Sequence, residues 1–306
     1  MEAPRADDKA VRKAVWWITL RCNLKCPYCT AEQVRDPLLD YPIEPTAKWI
    51  DAWNRIDGDV LIDISGGEPF LQPDFVDLIV NLDSSKKVAI TTNLTYDMTR
   101  FAQSVSPEKC VCVTASLHLT SGMNIEYFTG KLLLLKHRGF DVGVNFVAFP
   151  EQLWIIDRLR DWFSEFGLRF HVDPYMPGPV YPYNPSGMEK RFLECRTGSD
   201  RDDYHSEAVK DYLCDAGTNY FVVSPNGQVS PCVGRLYSTD NAMGNIFDAD
   251  FKLLGRPLVC RRKFCSGCDA DKTRRIVIGE DGHANEGASP DNKGDRWAGI
   301  ETKPAS

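Results

Sequence analysis

Between Val15 and Pro174, short apolar runs rich in β-branched residues alternate with longer segments whose apolar positions recur at helical spacing. The short runs are Val15 to Leu20, Val60 to Ser65, Val88 to Thr92, Val111 to Ser116, Val142 to Phe146 and Arg169 to Val172, each of strand length. Gln152 to Phe166 sets Leu153, Ile156, Leu159, Trp162, Phe163 and Phe166 on one helical face and meets a stop signal at Gly167; Asn124 to Arg138 ends the same way at Gly139. Strand and helix in alternation build a parallel sheet. Six such units with right-handed crossovers curl into an α/β fold, a partial (β/α)6 TIM-like barrel, whose reactive side chains belong at the C-terminal ends of the strands.

The alternation stops at Pro174. Five prolines between Pro174 and Pro185, interleaved with Tyr175, Tyr181 and Tyr183, suit a stiff linker or a loop over the barrel mouth equally well. Cysteines then gather between Cys195 and Cys268, around a hairpin expected at Tyr220 to Cys232 with Asn226-Gly227 as a type I′ turn. No element is predicted in the last 38 residues, which are polar and lack periodicity. The chain therefore divides into an N-terminal arm (1–14), a barrel (15–185), a small cysteine-bearing domain built on the hairpin (186–268) and a polar tail (269–306).

At 306 residues, 43% hydrophobic and 26% charged, the chain has material for one large core and a small appended one. A net charge of -7 leaves no basic footprint for phosphates, so nucleic acid is not expected as a partner. Ala14 to Leu20 follows Lys9, Arg12 and Lys13 like a secretory signal, but it ends at Arg21 without a small-residue cleavage site. Nothing reaches the roughly 20 apolar residues of a membrane span. The expectation is a cytoplasmic protein without membrane contact, in which 11 cysteines point to metal or redox chemistry instead of disulfides.

Cys22, Cys26 and Cys29 form a C-x3-C-x2-C run directly after the first strand. Three thiolates on one loop can hold three irons of a [4Fe-4S] cluster and leave the fourth open for a ligand such as the amino and carboxylate groups of S-adenosylmethionine. With Tyr28 before the last cysteine, the loop resembles that of the radical S-adenosylmethionine superfamily. A zinc knuckle uses similar thiols, but Gly66-Gly67-Glu68-Pro69 after strand two strengthens the resemblance, which implies that this turn grips the cofactor's amino group. Thr92 and Asn93 end strand three, Ser116 and His118 end strand four, and Asn145 lies on strand five. These are positions where family members contact the ribose or carboxylate, although polar residues at strand ends serve equally well as caps.

Cys214, Cys232, Cys265 and Cys268 offer a second set of four thiolates, suited to a cluster or to zinc. Their spacing around Gly227, with Met243-Gly244-Asn245-Ile246 following, resembles the auxiliary-cluster extensions called SPASM and twitch. A full SPASM domain uses seven cysteines for two clusters, and only five occur from residue 214 onward. The resemblance then implies the twitch form with one auxiliary [4Fe-4S] cluster, in which Cys260 can replace one of the four. Cys110 and Cys112 suit packing in strand four. Cys195 and Cys260 are candidate hydrogen-atom donors. His171, Asp173 and Tyr175 share one side of an extended chain, and His171 or Asp173 can accept a proton or serve as a hydrogen-bonded rim.

The resemblance implies an enzyme that takes an electron from a flavodoxin- or ferredoxin-type donor, cleaves S-adenosylmethionine to a 5′-deoxyadenosyl radical and removes a hydrogen atom from substrate. The first expectation is oxidation of an alcohol carbon in a sugar-like or other small molecule, with the auxiliary cluster accepting an electron. The alternative is epimerisation or cross-linking of a ribosomal peptide, against which stand the few residues before strand one, too few for a leader-binding domain. A non-catalytic iron-sulfur or zinc protein is the third reading.

Overall fold

The computed structural model describes residues 11–33, 36–175, 212–236, 242–260, 273, 275–278 and 284–285. Six strands run parallel and in sequence order: β1 (Arg12–Thr19), β2 (Val60–Gly66), β3 (Lys86–Thr92), β4 (Cys110–Ser116), β5 (Val142–Ala148) and β6 (Arg169–Pro174). Helices α1 (Thr30–Gln33), α2 (Thr46–Asn54), α3 (Phe75–Asn81), α4 (Thr99–Ser104), α5 (Ile125–His137) and α6 (Ile156–Glu165) intervene. Each predicted strand is present; five are longer by one or two residues where ladder bonds continue past the apolar run, and β1 starts three residues earlier and ends one residue sooner than expected.

The helix expected from Gln152 begins later. Residues Pro150–Ile155 form a 3-10 turn, because Pro150 enters it and no side chain caps its first turn; the α-helix starts at Ile156. Asn124 caps α5 by accepting from Tyr127 N–H, and Gly139, at φ +89°, ends the segment as expected.

Alternation along the strands separates two faces. The outward side carries Trp16, Ile62, Ile64, Val88, Ile90, Val113, Val144 and Phe146, which pack with the helices into the main core. Trp16 lies against Trp49 and Trp53 of α2 at ring distances of 4.7 and 5.2 Å.

From Tyr220 the chain rejoins the same sheet. β8 (Tyr220–Val223) pairs in parallel with β1, and β9 (Gln228–Ser230) and β10 (Gly244–Asn245) follow it, giving nine strands in the order β10-β9-β8-β1-β2-β3-β4-β5-β6. The hairpin turn is not type I′, since Asn226 is not left-handed. Ser224 O accepts from Gly227 N–H at 2.9 Å, and only Gly227 has positive φ, at +80°. Pro225 fixes the first central residue near φ -65°, which selects a three-residue loop with its glycine at the bulge position. Gly227 is obligatory for a second reason: a Cβ there would stand 2.4 Å from the Phe247 ring and 2.5 Å from Asn245 Oδ1. Phe247 in turn packs 4.5 Å from Trp49, fastening this segment to α2.

A second sheet contains β11 (Leu258–Cys260), β7 (Tyr212–Cys214), β12 (Arg275–Ile278) and β13 (Ala284–Asn285) in that order. The last two lie in the polar tail, where no element was expected: β12 owes its regularity to pairing with β7 and β13 to pairing with β12, not to a pattern of their own.

Candidate active site

The root of the Cys22–Cys29 loop is locked to the Gly66-Gly67 turn by backbone contact. Thr19 O accepts from Gly67 N–H at 2.7 Å and Arg21 O from Glu68 N–H at 3.0 Å. A Cβ at Gly66 would meet Thr19 O at 2.0 Å, and one at Gly67 would meet Arg21 O at 2.2 Å. The glycines are thus required by the chain's own crossing, in addition to any ligand.

Glu68 is hydrogen-bonded within the chain. Its side chain is 1% exposed, and its oxygens accept from Phe70 N–H (3.0 Å), Thr92 Oγ1 (2.8 Å) and Asn93 N–H (2.7 Å). The carboxylate binds the ends of β2 and β3 together before any cofactor arrives. Thr92 and Asn93, expected at the cofactor, likewise spend these groups within the chain.

Around the three thiols, Leu24 N–H and Asn93 Nδ2 approach Cys22 Sγ at 3.4 and 3.6 Å, and Ser121 Oγ lies 3.8 Å from Cys26 Sγ. Burial raises the pKa of Cys22 and Cys26, so each would have to give up its proton on binding a metal centre. Among the described residues, no three His, Cys, Asp or Glu side chains ring one metal ion. A loop that sets each thiol on a different iron has no need of that closeness, so the donor set fits a [4Fe-4S] cluster.

Tyr28 is buried, and its hydroxyl lies 2.9 Å from His118 Nδ1. Its ring packs 5.2 Å from Phe149, which meets Tyr175 at the same spacing. His118, noted in the sequence only as a strand-end residue, is therefore a buttress for Tyr28. Burial holds its pKa down at about 4, so the ring is neutral.

The concave face of the sheet carries the remaining candidates. Ser116 pairs with Asn145 and Asn145 with His171 in register, while Val147 pairs with Asp173. Asn145 Nδ2 donates to Asp173 Oδ2 at 2.6 Å, and Asp173 Oδ1 lies 3.0 Å from His171 Nε2. The three form one polar unit, and Asn145 Oδ1 is a buried acceptor without a partner.

Through the pairings Val15 with Asp63 and Asp63 with Ala89, the same face reaches β1, whose Val15 joins Tyr220 and Val222 in a second apolar cluster. Cys214 is buried in that cluster and Cys232 and Cys260 pack against it. Cys260 stands diagonal to Cys214 across the β11–β7 pair, whose register is Leu258 with Cys214 and Cys260 with Tyr212. Burial pushes the Cys214 thiol up to about 11. Cys110 and Cys112 are packing residues, as expected. Cys195, Cys265, Cys268 and the proline-rich stretch beyond Tyr175 lie outside the described residues.

Residues 18–154 match the family model of the radical SAM superfamily, and residues 214–257 match that of the SPASM iron-sulfur cluster-binding domain. The chain belongs to the radical SAM superfamily and carries a SPASM-type extension, so its cofactors are S-adenosylmethionine on a [4Fe-4S] cluster and an auxiliary cluster. It is 26% identical over 297 residues to the antilisterial bacteriocin subtilosin biosynthesis protein AlbA of Bacillus subtilis (strain 168), covering 85% of this chain and 64% of that protein.

The fold resembles that of Streptococcus suis SuiB (TM-score 0.57, 19% identity, 78% of this chain and 64% of that one). It also resembles anSMEcpe with bound AdoMet (TM-score 0.54, 17% identity, 78% of each chain). The chain thus spans a little under two thirds of AlbA and SuiB. No helix among the described residues is long and apolar enough to cross a membrane.

Proposed function

We propose that this radical SAM enzyme modifies a ribosomally made peptide, removing a hydrogen atom from one of its residues. The observation that carries this reading is the similarity to a bacteriocin biosynthesis protein, which extends over 85% of the chain. SuiB, a fold neighbour, has been crystallised with its precursor peptide SuiA. A peptide is therefore favoured over the sugar-like alcohol that the resemblance to the twitch form implied.

In this reading Cys22, Cys26 and Cys29 ligate the first cluster, and Cys214, Cys232, Cys265 and Cys268 the auxiliary one. The cofactors supply hydrogen-atom abstraction from an unactivated carbon once an external one-electron donor has reduced the site. The peptide carbonyls of Gly66 and Gly67, with the acceptor site left on Glu68 Oε2, receive the cofactor's ammonium. Tyr28, braced by His118, walls the cofactor on one side.

Asp173 holds the Nε2–H tautomer of His171, which leaves Nδ1 as the base able to take a proton from the substrate. Asn145 keeps Asp173 oriented for that task. A base and an electron acceptor on one concave face suit an oxidative product, such as a cross-link.

The test uses anaerobically reconstituted protein, a chemical reductant, S-adenosylmethionine and SuiA-like precursor peptides, deuterated at candidate carbons. Deuterium in 5′-deoxyadenosine that comes from the peptide supports the reading. Deuterium that comes instead from a labelled amino-sugar alcohol, with none from the peptide, overturns it.

A further inference from the structure

The turn that follows β3, Asn93-Leu94-Thr95, is held from several sides. Asn93 N–H donates to Glu68 Oε2 at 2.7 Å. Lys131 of α5, itself buried, donates through Nζ to the carbonyls of Leu94 (2.8 Å) and Thr95 (3.1 Å). Between those anchors Leu94 is kept in the left-handed region at φ +57°, a conformation that a leucine adopts only when its surroundings dictate it.

The result is a fixed Asn93 side chain. Its Oδ1 accepts from Thr95 N–H at 3.0 Å and from the Thr95 hydroxyl at 2.7 Å, so the amide has one orientation. The NH2 then points the other way, to Cys22 Sγ at 3.6 Å and Asn23 Oδ1 at 2.9 Å. With Leu24 N–H at 3.4 Å, Cys22 has two N–H donors, whereas Cys26 has a hydroxyl at 3.8 Å.

We infer that Asn93 is a positioning residue for the first cluster: its amide N–H donates to the Cys22 sulfur and raises the cluster's one-electron potential. The inference rests on Cys22 being a ligand of that cluster. A donor to a thiolate favours the more negatively charged, reduced state, so hydrogen bonds to sulfur are among the determinants of cluster potential. The step concerned is addition of one electron from an external donor; no bond of Asn93 forms or breaks. A residue that merely fastened the loop through Asn23 would leave the potential where it is.

The experiment is an EPR-monitored reductive titration of the first cluster in reconstituted full-length protein whose auxiliary-site cysteines are intact, with iron counted in each sample. Asn93→Asp keeps the acceptor for Thr95 and removes the donor. The one-electron midpoint is expected to fall by the equivalent of up to about tenfold in the reduced-to-oxidised ratio, about 59 mV. Asn93→Ala, which adds no charge, should move it in the same direction.

Asn23→Ala removes the competing acceptor and turns the amide more fully to sulfur, so its midpoint should rise. That variant decides the matter if the Asn93 variants take up less iron. An unmoved midpoint in an iron-replete variant, or a rise in Asn93→Ala, overturns the inference. Failure of the wild-type first site to load any iron would instead remove the cluster assignment beneath it.

Discussion

The Glu68 carboxylate is pulled in two directions, since burial raises its pKa while the Phe70 and Asn93 amides and the Thr92 hydroxyl lower it. Such a group is expensive to remove, because each donor left buried without an acceptor costs about 1 to 3 kcal/mol. Glu68→Ala is therefore expected to destabilise the folded protein by about 3 kcal/mol or more. Glu68→Gln is expected to lose about 1 to 3 kcal/mol, since one amide nitrogen must face a donor. Denaturation midpoints check this, and a stable Glu68→Ala protein with only weakened cofactor binding would show that the residue serves the ligand alone.

His118 titrates in a window that its burial defines. Its pKa is lowered from 6.5 to about 4, so between those values the unfolded chain binds a proton that the folded chain does not. Stability from this group is fully present above pH 6.5 and is lost as pH falls toward 4, by up to about 3 kcal/mol. In His118→Gln that loss should be absent. Comparing the two proteins at pH 7.5 and 5.5 cancels effects common to both, and an equal loss in each would show that His118 is not the titrating group.

At the scale of elements, the parallel strands were legible because β-branched runs of strand length recur between helical segments, with every second residue buried against the helices. The tail strands β12 and β13 were not, since a two- to four-residue strand has no periodicity to detect and takes its conformation from its neighbour, β7 for β12 and β12 for β13. The type of the hairpin turn was hidden by the Asn-Gly pair, whose usual preference Pro225 overrides.

The Gly66-Gly67 turn was legible as chemistry but not as packing: sequence spacing cannot reveal that Thr19 and Arg21 pass within a Cβ radius. Gly66→Ala and Gly67→Ala should consequently displace the cysteine loop's root and lower iron at the first site, with auxiliary iron retained. Gly130→Ala is the matched control. A Cβ there meets nothing within 4 Å, and replacing glycine inside α5 is expected to stabilise by about 1 kcal/mol. Iron analysis with thermal melts separates the two cases; full iron in Gly67→Ala would mean that the loop yields more easily than its backbone contacts indicate.

For the whole molecule, the two thiol sets are far apart in sequence, yet pairing of β8 with β1 carries the second toward the concave face shared with Asn145, His171 and Asp173. The thiols themselves were visible from spacing, and the oriented His171–Asp173 pair from alternation along one strand. Their common face depended on a parallel pairing between residues some 200 positions apart, beyond the reach of local pattern.

If the sheet rather than the clusters holds the halves together, each site should load independently. Reconstituted protein is then expected to bind about eight irons, as two cubes of four require. Changing Cys22, Cys26 and Cys29 together to Ala should leave about four, and changing Cys214 and Cys232 to Ala should leave the other four. β8 buries Tyr220, Phe221, Val222 and Val223, an apolar anchor that contains no thiol. Iron and zinc counted in the same samples decide the outcome. About four irons with one zinc in the unaltered chain would make the second site a zinc centre, and loss of all iron in either variant would show that the sites load as one unit.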